Sequence, residues 1–272
     1  KTFWNHCAGD GVSAYSGASG CANDSEASGC YNGFLAEGAV LSAQRSIARD
    51  SRSAGFVSRM SGVMNAEESD AQNGLNYGFY ASISSLLNVT RGNCSGCKFG
   101  ITGQRGSKIA AEEVIADNCI ETNISARRYT EIEAQSCHAV NERTTPLYCI
   151  RANYSGSVIV ESGIIGGACT DNICRVTTNS EVQATDTQLS GAIDECIAVF
   201  VDESANFNGR RMTLDHTLSS GTAVQVSHAS SADLSNSVIS NAGNYGVLVQ
   251  LGANVSLDEA TVRGSRNYSL YA

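Results

Sequence analysis

The chain has 272 residues, of which 42% are hydrophobic and only 17% charged, so it has the apolar content of a folded core and is not a disordered tail. Its formal net charge of −9 argues against nucleic acid as a partner, because phosphate binding depends on clustered Lys and Arg. No apolar run approaches the roughly 18 residues of a membrane span, and we expect no membrane insertion.

A glycine followed by a large apolar residue recurs along the chain, beginning with Gly11-Val12, Gly33-Phe34 and Gly55-Phe56. The glycine is later replaced, but the apolar residue persists. This first ladder comprises Val12, Phe34, Phe56, Phe79, Ile101, Ile124, Ile150, Cys174, Ile197, Val224, Val247 and Leu270. A second, usually small residue follows each member two positions later, which is the spacing of one face of a β-strand.

Two further ladders run within each repeat. The second begins at Leu41 and includes Ala205, and the third begins at Ala48 and includes Met212. Two residues after the third ladder comes an Asn or Gly, the residue types that tolerate the left-handed conformation of a tight corner. These corner residues are Asn73, Gly96, Asn118, Asn141, Gly167, Gly191, Asn241 and Gly264.

Each repeat therefore carries three short strands that run in the same direction as those of the next repeat. The pattern predicts an all-β, right-handed parallel β-helix of about eleven coils of 22 to 27 residues, with the hand given by the general rule for parallel crossovers. Residues 11–272 form this helix, and residues 1–10 are a lead-in or N-terminal cap. Because residues 269–272 restart a first strand, we expect the chain to be part of a longer one.

Eleven cysteines are present, and most fall at or near core ladder positions. We interpret them as free, buried thiols that act as small apolar residues. The alternative is a zinc or redox site at Cys94 and Cys97, which form an isolated CxxC pair. The sequence indicates no cofactor and no metal, and the reduced thiols favour folding in a cytoplasm.

Residues 77–81 (Tyr-Gly-Phe-Tyr-Ala) and 244–247 (Asn-Tyr-Gly-Val) give the chain a pattern that resembles the β-helix shafts of bacteriophage tailspikes and tail fibres. Secreted enzymes resembling pectate lyases share the architecture. The resemblance implies a homotrimer in the virion, folded in the host cytoplasm, with a bacterial surface polysaccharide (capsule, O-antigen or exopolysaccharide) as its ligand. It also implies hydrolysis, lyase cleavage or deacetylation of that ligand in many members; for a protein outside a virion, the expectation is secretion.

Acidic residues gather where each coil passes from its third strand to the next first strand. They are Glu121, Glu142, Asp171, Asp194, Glu195 and Asp215. Glycoside hydrolysis requires two carboxylates, and equivalent residues of neighbouring coils lie about 5 Å apart. We predict Asp171, Asp194, Glu195 and Asp215 as catalytic acid and base of a glycosidase. The alternative is a solvated acidic corner in an acidic protein.

Basic and aromatic residues point outward from the first strands of the same coils. Arg151, Arg175, Tyr154 and Phe200, with Glu142 and His216 from the long loops, are the predicted substrate-binding residues. An aromatic ring stacks on a pyranose face, and arginine binds carboxylate or hydroxyl groups. Three functions stay open: a polysaccharide-binding spike that also hydrolyses its ligand, a non-catalytic receptor-binding shaft, and a lyase that uses His216 and the arginines.

Outward first-strand positions elsewhere are apolar. They are Leu35, Val57, Tyr80, Leu248 and Tyr271. Exposed apolar rows usually mark contact surfaces, so we expect these residues to face neighbouring subunits.

Overall fold

The computed structural model describes residues 2–141, 147–192, 196–216 and 220–272. Over these ranges the chain consists of short strands and turns, wound as a right-handed parallel β-helix of about eleven turns. The predicted fold is confirmed. Because these ranges contain no helix, they contain none able to cross a membrane.

Two continuous sheets run the length of the described structure. The first sheet comprises Val12–Tyr15, Asn32–Glu37, Ala54–Arg59, Tyr77–Ser82, Phe99–Gln104, Thr122–Arg127, Tyr148–Asn153, Asn172–Val176, Val199–Val201, Val224–Val226, Tyr245–Val249 and Tyr268–Tyr271. The second sheet comprises Ser19–Cys21, Val40–Ser42, Val63–Asn65, Leu86–Asn88, Lys108–Ala110, Glu131–Gln135, Ser157–Glu161, Glu181–Thr185, Asn206–Asn208, Ser231–Asp233 and Asn254–Ser256.

The third side of the helix is built from two shorter sheets. One comprises Phe3–Asn5, Glu26–Ser28, Ile47–Arg49 and Asp70–Gln72, and the other His138–Asn141, Ile164–Cys169, Gln188–Ala192, Thr213–Asp215, Val238–Ser240 and Thr261–Arg263. Single parallel bridges through Asn93 and Ile115 join them, so the third side is continuous. Within the lead-in, residues 3–5 form the first strand of this side and pair with Glu26–Ser28.

The core consists of the inward ladders stacked along the helix axis. Phe34, Phe56 and Phe79 are fully buried, with ring centroids 4.9 Å and 5.1 Å apart. Parallel pairing in register places the same side chain above itself in each coil, since Phe34 pairs with Phe56 and Phe56 with Phe79. Stacked rings gain dispersion and quadrupole attraction beyond their burial.

The glycine before each early aromatic residue is required by close packing at the corner. A Cβ on Gly33 would lie 2.6 Å from Ala48 Cβ and 2.6 Å from the carbonyl oxygen of Gly55. The equivalent position holds Cys149 and then Ile173 in later coils, both buried. The third-side strands beside these two residues have four to six residues, as in His138–Asn141 and Ile164–Cys169.

The ladder assignment is wrong by two residues in one coil. Cys174 pairs with Val199, not with Ile197, and Val199 pairs with Val224. The same shift places Phe207 and Leu214 where Ala205 and Met212 were expected, and the affected ladder members are Val199, Phe207 and Leu214. This coil is longer than most of the others. Two of its extra residues therefore lie before its first strand, whereas the sequence pattern placed all of them after its third strand.

The left-handed corner is confirmed at seven of the eight positions, all with positive φ: Asn73, Gly96, Asn118, Gly167, Gly191, Asn241 and Gly264. Asn141 is the exception, because it ends the strand His138–Asn141. Its buried side chain instead exchanges amide hydrogen bonds of 3.0 Å and 3.2 Å with Asn123.

The expectation of an exposed apolar row on the first sheet is wrong at three of its five positions, whereas Tyr271 is exposed and Tyr80 is half-buried. Leu35 and Val57 are buried against Ala54 and the two half-buried tyrosines of the next strand, and Leu248 is also buried. Exposed apolar side chains lie instead on the second sheet, where neighbouring coils place Val40, Val63 and Leu86 in one column. Alternation on a strand gives the face of a residue but not its burial, which the neighbouring coils decide.

Candidate functional site

A cluster of arginine and aromatic side chains covers the outer face of the first sheet in the middle of the helix. The Tyr148 ring lies close to two guanidinium groups, with its centroid 5.1 Å from Arg151 Cζ and 5.5 Å from Arg175 Cζ. The Phe200 ring lies 5.5 Å from Arg175 Cζ on the other side. Register produces this order, because Arg151 pairs with Arg175 and Arg175 with Phe200 in successive coils.

Hydrogen bonds hold Arg175 in this cluster. Its Nη1 donates to Tyr148 Oη and to Asp171 Oδ2, each at 3.1 Å. Burial, together with a hydrogen bond to Asp171, raises the pKa of Tyr148, so the phenol stays protonated at neutral pH. The predicted residues Arg151, Arg175 and Phe200 thus lie together, with Tyr148 as a member that sequence reasoning missed.

The same face continues toward the N-terminus. The Phe99 ring lies 5.8 Å from Arg127 Cζ and 5.5 Å from Lys98 Nζ. Tyr77 stacks on Phe99 at 5.2 Å and on Tyr80 at 4.6 Å. Rings and cations therefore alternate from the fourth to the ninth strand of the first sheet, a length of several sugar units. We call this surface the arginine–aromatic face.

Tyr154 does not point from the first strand, as expected, but lies at the corner that follows it. It and Tyr129 of the preceding coil have φ values of 53° and 64°, and both are exposed. With Arg128, Ser155, Thr178 and Asn179 they line an open cavity of about 470 Å³. Left-handed backbone is unfavourable for bulky residues, and here it turns two aromatic rings toward solvent at the end of the arginine–aromatic face.

The structure separates two of the four predicted catalytic carboxylates, Asp171 and Asp215. Asp171 precedes the strand Asn172–Val176 and bonds Arg175, whereas Asp215 ends the strand Thr213–Asp215 and accepts a hydrogen bond of 3.0 Å from Asn241. Asp215 pairs with Ser190, and Ser190 with Gly166, which lies five residues before Asp171. The two carboxylates thus occupy different positions of the corner. Asp194, Glu195 and Glu142 lie outside the described residues.

His216 is buried, which corrects the expectation of an exposed loop histidine that contacts substrate. Its Nε2 lies 3.2 Å from the carbonyl oxygen of Cys196, and its Nδ1 is buried without a hydrogen-bond partner. Burial lowers its pKa below the ordinary value, against the opposing effects of the Cys196 carbonyl and the charge of Asp215. The side chain points inward because the register of this coil places it two residues after the core residue Leu214, on the same face.

One acid–histidine pair near the arginine–aromatic face was missed by the sequence analysis. Asp202 Oδ1 lies 2.6 Å from His228 Nδ1 and accepts a hydrogen bond of 3.0 Å from Ser227. Asp202 follows Phe200 by two residues and therefore lies on the same outer face. The two residues are 26 positions apart, so stepping one coil along the repeat would have brought them together.

Most cysteines are small residues of the core, as the sequence predicted. Eight of the eleven are buried. Burial raises the pKa of Cys97 to about 12, and it also raises that of Cys94 well above its usual value, so neither is a ready thiolate ligand. Within the described ranges, no three His, Cys, Asp or Glu side chains gather as metal ligands.

The function of the chain has to be inferred from its fold and its surface. The sequence matches no protein-family model, and no curated protein is significantly similar to it.

Proposed function

We propose that this β-helix is the receptor-binding part of a bacteriophage tail protein and that it recognises a polysaccharide of the bacterial surface. The observation that carries the proposal is the arginine–aromatic face, which lies on a rigid sheet of a fold compatible with polysaccharide-binding proteins. Extended glycans need an extended surface, and a solenoid presents one along its axis.

Recognition would use rings and guanidinium groups together. The partly exposed Phe200 ring offers an apolar plane for a pyranose, while the planar forks of Arg151 and Arg175 donate to sugar hydroxyls or carboxylates. The exposed Tyr129 and Tyr154 rings would extend the surface at the corner. A fixed array of this kind loses little conformational entropy when a glycan binds.

Cleavage of the bound glycan is the second candidate function. Asp171 touches Arg175, so one predicted catalytic carboxylate lies at the edge of the proposed binding surface. Asp194 and Glu195 remain the predicted partners of Asp171 for hydrolysis, since Asp215 lies at a different position of the corner. A lyase is the alternative, and the Asp202–His228 pair beside Phe200 offers it an exposed base.

Assembly and location are part of the same proposal. A tail protein of this kind is a homotrimer in the virion, and the exposed column of Val40, Val63 and Leu86 is an apolar surface suited to a neighbouring subunit. Sedimentation equilibrium tests this part separately: three times the 28.5 kDa chain mass supports it, and a monomer at micromolar concentration contradicts it.

The test of recognition is a binding panel of polysaccharides extracted from bacterial surfaces, followed together with reducing ends and the ultraviolet absorbance of unsaturated products. Binding to one polysaccharide supports recognition, and failure to bind any contradicts it. New reducing ends without absorbance indicate hydrolysis, and absorbance indicates a lyase.

Phe200→Ala tests whether the arginine–aromatic face is the binding surface. Removal of one stacking ring should weaken binding roughly 2-fold to 12-fold. Tyr31→Ala removes an exposed ring that precedes the second strand of the first sheet, seven strands from Phe200, and should leave affinity unchanged. Equal affinity of Phe200→Ala and the unchanged protein would place the binding surface elsewhere.

A further inference from the structure

The arginine–aromatic face is positively charged in an acidic protein. Among the described residues it carries the cations Lys98, Arg127, Arg151 and Arg175 and the carboxylates Glu121, Asp171 and Asp202, a local charge of +1. The chain as a whole carries −9. Lys98 pairs with Glu121 at 2.9 Å and Arg175 with Asp171 at 3.1 Å, so the excess charge resides on the other two arginines.

Arg127 and Arg151 differ from the other arginines of comparable burial. Arg49, Arg59 and Arg175 are half-buried and each pairs with a carboxylate, as in the 2.6 Å contact of Arg59 with Glu37. Among the described residues, no carboxylate lies within ion-pair distance of Arg127 or Arg151. Arginines without a carboxylate elsewhere in the described ranges, such as Arg105, are exposed to water.

The two guanidinium groups are also incompletely hydrogen-bonded. Arg151 Nε is buried and has no hydrogen-bond partner, and the Nε of Arg127 donates only to Ser125 Oγ at 3.1 Å. Burial and the nearby charge of Arg151 lower the pKa of Arg127, a sign that the two like charges repel. An anion placed between them would remove this repulsion and supply the missing acceptor.

We propose that Arg127 and Arg151 bind the carboxylate of a uronic acid residue, so that the ligand of this face is an acidic polysaccharide. This inference rests on the proposed function and narrows its substrate class. The planar carboxylate matches the guanidinium fork, and the Phe99 and Tyr148 rings beneath the two groups exclude water from the contacts. The net charge of the whole protein would repel an acidic polysaccharide, so the attraction must come from this face.

The polysaccharide panel tests the inference when each sample is used both as extracted and after its carboxyl groups are reduced to primary alcohols. We expect the bound polysaccharide to contain uronate. Reduction should weaken its binding about 10-fold to 100-fold, because the charge-assisted hydrogen bonds to the carboxylate are lost. Equal binding of a polysaccharide before and after reduction, or binding of a neutral one, overturns this inference and leaves the proposed function standing. Binding of none overturns the proposed function.

If the protein binds no polysaccharide of the panel, a direct measurement on Arg151 still tests the inference. The NMR signal of the Arg151 Nε–H group is followed while glucuronate or glucose is added at millimolar concentration. A shift with glucuronate alone supports the carboxylate site. The absence of any shift with glucuronate overturns it, whatever the panel shows.

Matched variants locate the site. Arg151→Gln should lose the preference for the acidic polysaccharide, and Arg151→Lys should retain part of it, since the charge stays but the fork is lost. Arg59→Gln is the control, because Arg59 lies on the same sheet face but is paired with Glu37. If Arg151→Gln and Arg59→Gln lose the preference for the acidic polysaccharide equally, the preference depends on net charge alone and the assignment to Arg151 is overturned.

Discussion

At the scale of single residues, the stacked phenylalanines make the largest individual contribution to the core. Phe56 lies between Phe34 and Phe79 and is fully buried, so Phe56→Ala removes two ring contacts and leaves a cavity. We expect a loss of about 3–5 kcal/mol in the free energy of unfolding, measured by urea denaturation. Leu75→Ala, at a side chain 68% exposed, should change it by less than about 0.5 kcal/mol.

Burial of His216 makes stability depend on pH. Its pKa is lowered in the folded protein, so below about pH 6.5 the unfolded chain binds a proton that the folded chain does not. Stability is therefore full above this pH and falls as the pH drops toward the folded pKa. We expect the Tm to fall between about pH 7 and pH 5, and His216→Gln to show a smaller fall.

The exposed His228 provides the comparison for that measurement. His228→Gln removes an imidazole that is accessible to water in the folded protein. We expect this variant to retain the fall in Tm that His216 causes. The same fall in all three proteins would show that other groups cause the pH dependence.

At the scale of the coil, the corner glycines decide how closely the first sheet approaches the third side. A Cβ on Gly55 would lie 2.7 Å from Ala71 Cβ and 2.8 Å from the carbonyl oxygen of Gly78, and neither neighbour can move without shifting a strand. Gly55→Ala should therefore lower stability by about 1–3 kcal/mol, measured by urea denaturation. Gly9→Ala is the control, since nothing lies within 4 Å of its Cβ position, and a cost equal to that of Gly55→Ala would contradict the packing argument.

The repeat was sufficient to predict the coil, because each ladder residue has the same environment in successive turns. Prediction failed where the coil length changes: Ile197 has the spacing and character of a ladder residue, but Val199 takes its place. His216 lies in the same coil. Because Met212 was taken as the ladder residue instead of Leu214, the sequence did not indicate that His216 lies two residues after a core residue. Arg151, Arg175 and Phe200 were found because they lie on register-matched strands. Tyr148 lies two residues before the ladder residue Ile150, where alternation predicts an inward side chain, and its contacts with Arg151 and Arg175 involve two neighbouring strands.

At the scale of the whole molecule, the architecture separates stability from recognition. Each coil contacts mainly its neighbours, so inward ladders build the core while outward columns vary from coil to coil. The early coils carry stacked phenylalanines inside and ion pairs such as Arg59–Glu37 outside. The middle coils carry the uncompensated arginines, so a local positive surface can exist on a chain of net charge −9.

This charge distribution predicts an opposite response of binding and stability to salt. Binding of an acidic polysaccharide should weaken as salt rises, because counterions screen the arginine–aromatic face over a Debye length of about 10 Å at 0.1 M. The Tm should rise slightly or stay constant, since the same salt screens repulsion within an acidic protein. Affinity and Tm measured in one salt series test both, and in Arg151→Gln the dependence of affinity on salt should be shallower. An affinity that salt leaves unchanged would mean that the glycan is held by hydroxyl contacts and ring stacking alone.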